Sequence, residues 1–261
     1  MASYQDYLLH LADNALILGQ RNAEWCGHGP ILEEDLALAN NSLDLIGQAR
    51  MLYQHVAAVR KDGKSSEDLL AYFRDVPDFR NYTLLELPHR TASLPTASGD
   101  RDYAITIARN FFYSALMVPV WGALSASGDA QLAAIAAKSL KEARYHLRHA
   151  HDWVLRLGDG TDESHRRLQA AFDYLMPFTQ EFWTPSAMEA AALKIGAGVD
   201  VTAFKAQWDD TVGDTLQAAT LKLPSSSGFV TTGKLGVHSE HLGFVLAEMQ
   251  SLARAHPEAV W

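Results

Sequence analysis

The stretch from Ala130 to Leu157 contains neither glycine nor proline and repeats apolar residues three and four apart. Ala136, Leu140, Ala143, Leu147, Ala150 and Val154 form one such stripe, and an α-helix is the conformation that gathers them on one side. Gly128-Asp129 turns the chain into this helix, and Gly158-Asp159-Gly160 closes it. A helix with a single apolar stripe must lie against other helices.

The same period recurs along most of the chain. Tyr7, Leu11, Asn14, Leu18, Arg21 and Trp25 share a stripe on a first helix from about Tyr4 to Trp25. Pro30 suits the first turn of a second helix reaching about Val59, on which Leu36, Asn40, Leu43 and Gly47 share a face flanked by Asn41, Asp44 and Gln48. A less regular stretch, Lys61 to Asp100, holds Pro88, Pro95 and Gly99 among many aromatic and apolar residues. That composition suits a packed crossover with short helical turns better than a linker. A third helix is expected over Arg101 to Ser127, kinked at Pro119, and the Ala130–Leu157 helix is the fourth. Thr161-x-x-Ser164 opens a fifth, reaching Trp183; a sixth covers Thr202 to Lys222, and a seventh His238 to His256. Period-two β-branched runs are absent. Two helical hairpins joined by one long crossover, with further C-terminal helices, describe an all-α, ferritin-like four-helix bundle forming a single domain over residues 1–261.

Several function classes drop out. With 31 acidic and 22 basic residues the chain is poorly suited to nucleic acid or an anionic membrane surface. Its one cysteine, Cys26, excludes an internal disulfide and any cysteine-rich zinc site. Cys26 is expected to be partly buried and structural. No secretory signal and no bilayer-length apolar run is visible, so a cytoplasmic protein is expected. Gly228-x4-Gly233-Lys234 matches most of a phosphate loop, but Leu235 stands where a hydroxyl must meet magnesium and no strand precedes it; a connecting loop is expected. No Gly-x-Ser-x-Gly nucleophile elbow occurs.

The chemistry-bearing residues lie on the helices. A carboxylate-bridged di-iron site needs Glu-x-x-His on each of two helices and a carboxylate from each of the other two. On the fourth helix Glu142 is followed by Tyr145 at the histidine position, with His146 one place on and His149 beyond. On the second, Asp44 is followed by Gly47. The third has no carboxylate between Asp102 and Asp129, and the first offers Asp13 and Glu24 beside Arg21, whose cation would repel a metal. Asp44, Gly47, Glu142 and Tyr145 therefore read as vestigial di-iron positions. Asp44, Glu142, Arg21, Asn40 and Asn41 read as a buried polar network, so no metal, cofactor or catalytic residue is assigned to this chain. Two alternatives stay open: a metalloenzyme in its own right using Glu142, His146 and either His149 or His238, and a homo-oligomeric scaffold. On the last helix His238 and His241, three apart, could bind one metal but lack a fixed third ligand, and Glu248 lies further along.

Long segments carry a resemblance. Arg21 to Pro30, Glu33 to Asn40, Leu43 to Arg50, Lys141 to Arg148, Gly233 to Gly243 and Leu246 to Gln250 resemble the C subunits of bacterial phenylacetyl-CoA epoxidases, over nearly the whole chain. The resemblance implies a ferritin-like fold and a non-catalytic subunit. Its sister of the same fold would hold the di-iron centre and the phenylacetyl-CoA that the assembly converts to a ring 1,2-epoxide. A reductase carrying FAD and an iron–sulfur centre would bring electrons from NADPH. The implied partners are the catalytic di-iron subunit, the other subunits of the complex and the reductase; whether the chain alone forms a homodimer stays open.

Overall fold

The structure, a computed structural model, describes residues 3–90, 101–225 and 228–259. Among these residues the chain is all-α and without a strand, and its order of elements is ferritin-like. Helices α1 (Tyr4–Ala23) and α2 (Leu32–Arg60) form the first hairpin. The crossover carries the short helices α3 (Glu67–Tyr72) and α4 (Thr83–Glu86). Helices α5 (Tyr103–Leu124) and α6 (Ala130–Gly158) form the second hairpin, followed by α7 (Asp162–Leu175), α8 (Ala187–Lys194), α9 (Lys205–Ala218) and α10 (Glu240–Ala255).

Local chemistry sets most helix starts. Ser3 and Asp6 bond each other's backbone in a capping box at α1. Asp129 accepts from the amides of Gln131 and Leu132 at α6, and Thr161 pairs with Ser164 at α7 as the sequence pattern implies. Three boundaries differ from expectation. Pro30 stays outside α2, because the Gly29 amide donates to Asp35 at 3.0 Å and closes a turn over the helix start. The fifth helix stops at Leu175, since Pro177 has no amide to continue the ladder, and Met176–Trp183 winds on as a 3₁₀ segment. Likewise the sixth begins at Lys205, after a 3₁₀ turn over Val201–Phe204. Helix α8 has a signal of its own in Ser186-x-x-Glu189, whose side chains bond each other's amides at 2.8 and 3.4 Å.

The described residues gather into two compact units interleaved along the chain: residues 1–87, 186–192 and 232–261, and residues 88–185 with 193–231. In the first, α1 packs along α2, with α3, α4 and α10 completing the core. Helix α1 is buried nearly all round, from Tyr7 to Leu18, and the crossover adds buried Phe79, Tyr82, Leu84, Leu85 and Leu87. The expected packed crossover is present over residues 61–90; its remainder, with Pro95 and Gly99, lies outside the described residues. In the second unit α5, α6, α7 and α9 surround an aromatic cluster in which Phe112 meets Phe172 edge-on and Trp208 donates to the Phe112 carbonyl at 3.0 Å.

Candidate functional site

The sequence-derived di-iron positions can be tested on their own geometry. Glu142 is partly exposed and pairs with Lys138, one turn earlier on α6, at 3.2 Å. Tyr145 is 43% exposed; its ring stacks on His149 and lies under the Arg148 guanidinium. A ligand in the histidine position of a di-iron half-site must face inward, and Tyr145 faces out. The inward residue of the triplet is His146, packed edge-on to Tyr145. On α2, Asp44 is half-buried, and a Cβ built on Gly47 would meet nothing within 4 Å. Among the described residues no three His, Cys, Asp or Glu side chains gather closely enough to hold a metal ion. These positions do not fit a di-iron centre.

The expected polar network also needs correction. Asn40 is exposed on the outer face of α2, and Asp44 and Glu142 are half-buried, so only Arg21 and Asn41 of that set are buried. The α2 stripe of Leu36, Asn40, Leu43 and Gly47 faces away from the core, because Leu38, Leu45, Ala49, Leu52 and Val56 occupy the inward face. Cys26 is exposed in the turn after α1 rather than partly buried.

A different buried polar network fills the first unit, and it joins α1, the crossover and the segment before α10. Asp13, fully buried on α1, accepts from Tyr53 Oη at 2.5 Å, from Arg74 Nη1 at 3.1 Å and from the Arg80 amide at 2.7 Å; Arg74 Nη2 donates to it as well. The Arg74 guanidinium also lies over the Phe79 ring. Burial opposes the charge on Arg74, but the Asp13 carboxylate outweighs it and holds the guanidinium pKa above its ordinary value. Burial, then the Asp13 charge, pushes the Tyr53 hydroxyl well above its own. One turn before Asp13, His10 Nδ1 faces the Arg80 carbonyl at 2.6 Å. A carbonyl only accepts, so Nδ1 carries the proton and Nε2 is left to accept from Asn14 at 3.3 Å. Burial lowers the His10 pKa to about 4, in keeping with a neutral ring.

Glu86 is the second centre. Its carboxylate accepts from Asn81 at 2.9 Å, from His238 Nδ1 at 2.7 Å and from the Ser239 amide at 2.6 Å. Its backbone oxygen takes both Nε and Nη2 of Arg21. His238 Nε2 faces the Phe79 carbonyl at 3.0 Å. Both partners of this ring are acceptors, which assigns a proton to each nitrogen and makes His238 an imidazolium. Burial works against that charge, yet the bond and charge of Glu86 raise the pKa above its ordinary value. A raised folded-state pKa contributes stability that is complete below the unfolded value, about 6.5, and is lost as pH rises through the folded one. Wild-type urea midpoints are therefore expected to fall above about pH 6.5, and His238→Gln to flatten that slope. An unchanged slope in the variant would refute the assignment.

Lys234 is the third centre. It is buried, bonds Glu189 at 3.0 and 3.2 Å and lies over the Tyr82 ring. Gly233 and Gly236 seat this segment: a Cβ on Gly233 would strike the Asn81 carbonyl at 2.6 Å, and Gly236 takes a φ of +87° against Pro77. The phosphate-loop lookalike is thus a connector, exposed at Phe229 and Val230 and anchored at Gly233 and Lys234, whose lysine is already paired. His238 serves in the network, while His241 is half-buried and Glu248 exposed. Asp13 and Lys234 stood out in the sequence, but their partners Arg74 and Glu189 did not. No local pattern announces a pairing across 61 or 45 residues.

A family model described as "Phenylacetic acid catabolic protein" matches residues 2–261. The chain is 44% identical over 255 residues to the Escherichia coli (strain K12) protein named as the C subunit of 1,2-phenylacetyl-CoA epoxidase, covering 98% of each. With that match spanning essentially the whole chain, it belongs to the phenylacetic acid catabolic protein family.

Proposed function

We propose that this chain is a non-catalytic structural subunit of a multicomponent di-iron monooxygenase that epoxidises the aromatic ring of phenylacetyl-CoA. The name of its E. coli relative supports the assembly and the substrate class. The non-catalytic role rests on one observation: the di-iron positions of this chain hold an outward tyrosine, a glycine and a carboxylate paired to lysine. Three cross-linked centres at Asp13, Glu86 and Lys234 suit a scaffold, since satisfied buried networks rigidify a core. The di-iron pair belongs in this reading to a catalytic partner subunit of the same fold, and FAD, iron–sulfur and NADPH chemistry to a reductase. The working compartment is the cytoplasm; among the described residues no helix is long and apolar enough to cross a membrane.

The test is to purify the chain alone and co-expressed with the catalytic subunit, then measure iron and epoxide formation from phenylacetyl-CoA. Iron and turnover are expected only in the mixture. Stoichiometric iron in the isolated chain, or turnover by it with the reductase alone, would overturn the proposal.

A further inference from the structure

Helix α6 turns a basic face without counter-ions to solvent, on a chain that is acidic as a whole. Lys141, Arg144 and Arg148 follow one another at three- and four-residue steps in the middle of the helix, and all three are exposed. Among the described residues none of the three is paired with a carboxylate. Asp152, one turn beyond, faces His151 at 3.4 Å. By contrast Lys138 pairs with Glu142 on the same helix, Arg166 and Arg167 with Glu163 on α7, and Lys205 with Asp209 on α9.

Helix stability gives no reason for this arrangement. Like charges one turn apart oppose a helix. The helix dipole accounts for Arg156 in the last turn, but its effect does not reach mid-helix. Tyr145 stands among the three cations, exposed, with the Arg148 guanidinium over its ring. Tyrosine and arginine are the side chains in which contact surfaces are enriched and on which their binding energy concentrates.

Charge and shape choose the partner. The face is one side of an exposed helix, so a small anion finds no walls to enclose it. With 31 acidic against 22 basic residues, the chain as a whole repels a nucleic acid. A permanently bound subunit would need an apolar centre, which a face led by three charged side chains does not supply. What fits is a protein that visits, since encounters between redox partners bury little area and are guided by opposite charge. We propose that the outer face of α6 is a docking site for an acidic surface of the reductase. The inference rests on the functional reading above, which requires such a visitor. Held on the scaffold, the reductase would be concentrated beside the catalytic subunit without this chain touching the iron.

The test uses the assembled complex and follows epoxide formation against reductase concentration. Lys141→Glu, Arg144→Glu and Arg148→Glu combined should raise the KM for reductase by about 10-fold or more with kcat unchanged, the size of effect that lost steering gives. The same three positions changed to Gln should give a smaller rise. Raising salt from about 0.1 to about 1 M shortens the screening length from about 10 to about 3 Å; it should slow association of the wild type and erase its advantage over the triple variant. Lys194→Glu reverses an exposed charge on α8 and serves as the control, with KM unmoved. Arg148→Glu alone should raise KM several-fold, and it carries the test if circular dichroism shows the triple variant melting early. A KM unchanged in these variants overturns the proposal, as does a rise matched by Lys194→Glu or a loss confined to kcat. Failure of the variant to co-purify with the catalytic subunit overturns it too and assigns the face to that subunit. A wild-type complex that does not turn over with the reductase sinks the functional reading and this inference together, whereas turnover with an unmoved KM sinks this inference alone.

Discussion

Asp13→Asn is expected to cost about 3–5 kcal/mol of unfolding free energy, because it strips the counter-charge from a largely buried arginine. In a chain of this size that corresponds to a melting temperature lower by roughly 6–20 °C. Asp13 takes bonds from Tyr53, from both terminal nitrogens of Arg74 and from the Arg80 amide. A neutral amide keeps the shape and loses the charge, and it turns an NH2 toward at least one of these donors. The size of the effect depends on Arg74 staying inside, and its stacking over Phe79 with 11% side-chain exposure favours that. A double-mutant cycle separates the pair from its surroundings: Asp13→Leu with Arg74→Leu should cost clearly less than the sum of the two single changes. A loss below about 1 kcal/mol for Asp13→Asn, the value of an ordinary neutral hydrogen bond, would show that the charge is not held as described.

Lys234→Met should be comparably severe, again about 3–5 kcal/mol, for the mirror-image reason. Methionine can follow the lysine stem, but Glu189 is then a nearly buried carboxylate that, among the described residues, keeps the Ser186 amide at 2.8 Å and loses its counter-charge. Glu189→Leu added to Lys234→Met should recover much of the loss, since an apolar pair of similar volume often replaces a buried ion pair without penalty. The same experiment distinguishes the phosphate-loop reading of Gly228–Lys234. A nucleotide-binding lysine would be dispensable for stability, and millimolar ATP would raise the melting temperature of wild type but not of the variant. The expectation is the reverse on both counts: a large stability loss, and no shift with ATP.

How much of this could be read from the sequence depended on the range of the interactions. Helix α6 was legible because its apolar stripe has one solution, and because Asp129 and Gly158 mark its ends within a few residues. The Thr161–Ser164 start of α7 was legible for the same reason. Helix α2 was legible as a helix but not in its orientation. Two opposed apolar stripes satisfy the same period, and the one containing Leu36 and Leu43 turned out to face solvent. The break in the di-iron pattern was visible in the sequence; that Tyr145 points outward was not, since spacing fixes an angle around the helix axis and not which side the neighbours take. The network at Asp13, Glu86 and Lys234 was the least legible part. Its defining bonds, Asp13 to Arg74, Glu86 to His238 and Lys234 to Glu189, unite segments that no periodicity relates, and a buried Glu86 looks in sequence like any glutamate at the end of a short helix.

The anchoring of His238 to Glu86 has a consequence for the order in which the protein is made. These residues are 152 positions apart, and chains emerge at about 5–20 residues per second. For roughly 8–30 s after the crossover leaves the ribosome, Glu86 and the Phe79 carbonyl wait for His238 and Ser239, which have not yet been synthesised. The α5–α6–α7 core is contiguous and can close in that interval, whereas the core of the first unit is not complete until α10 is made. Such a chain is most exposed to chaperones and proteases through its earliest-made part, and its last segments are the ones that end that exposure.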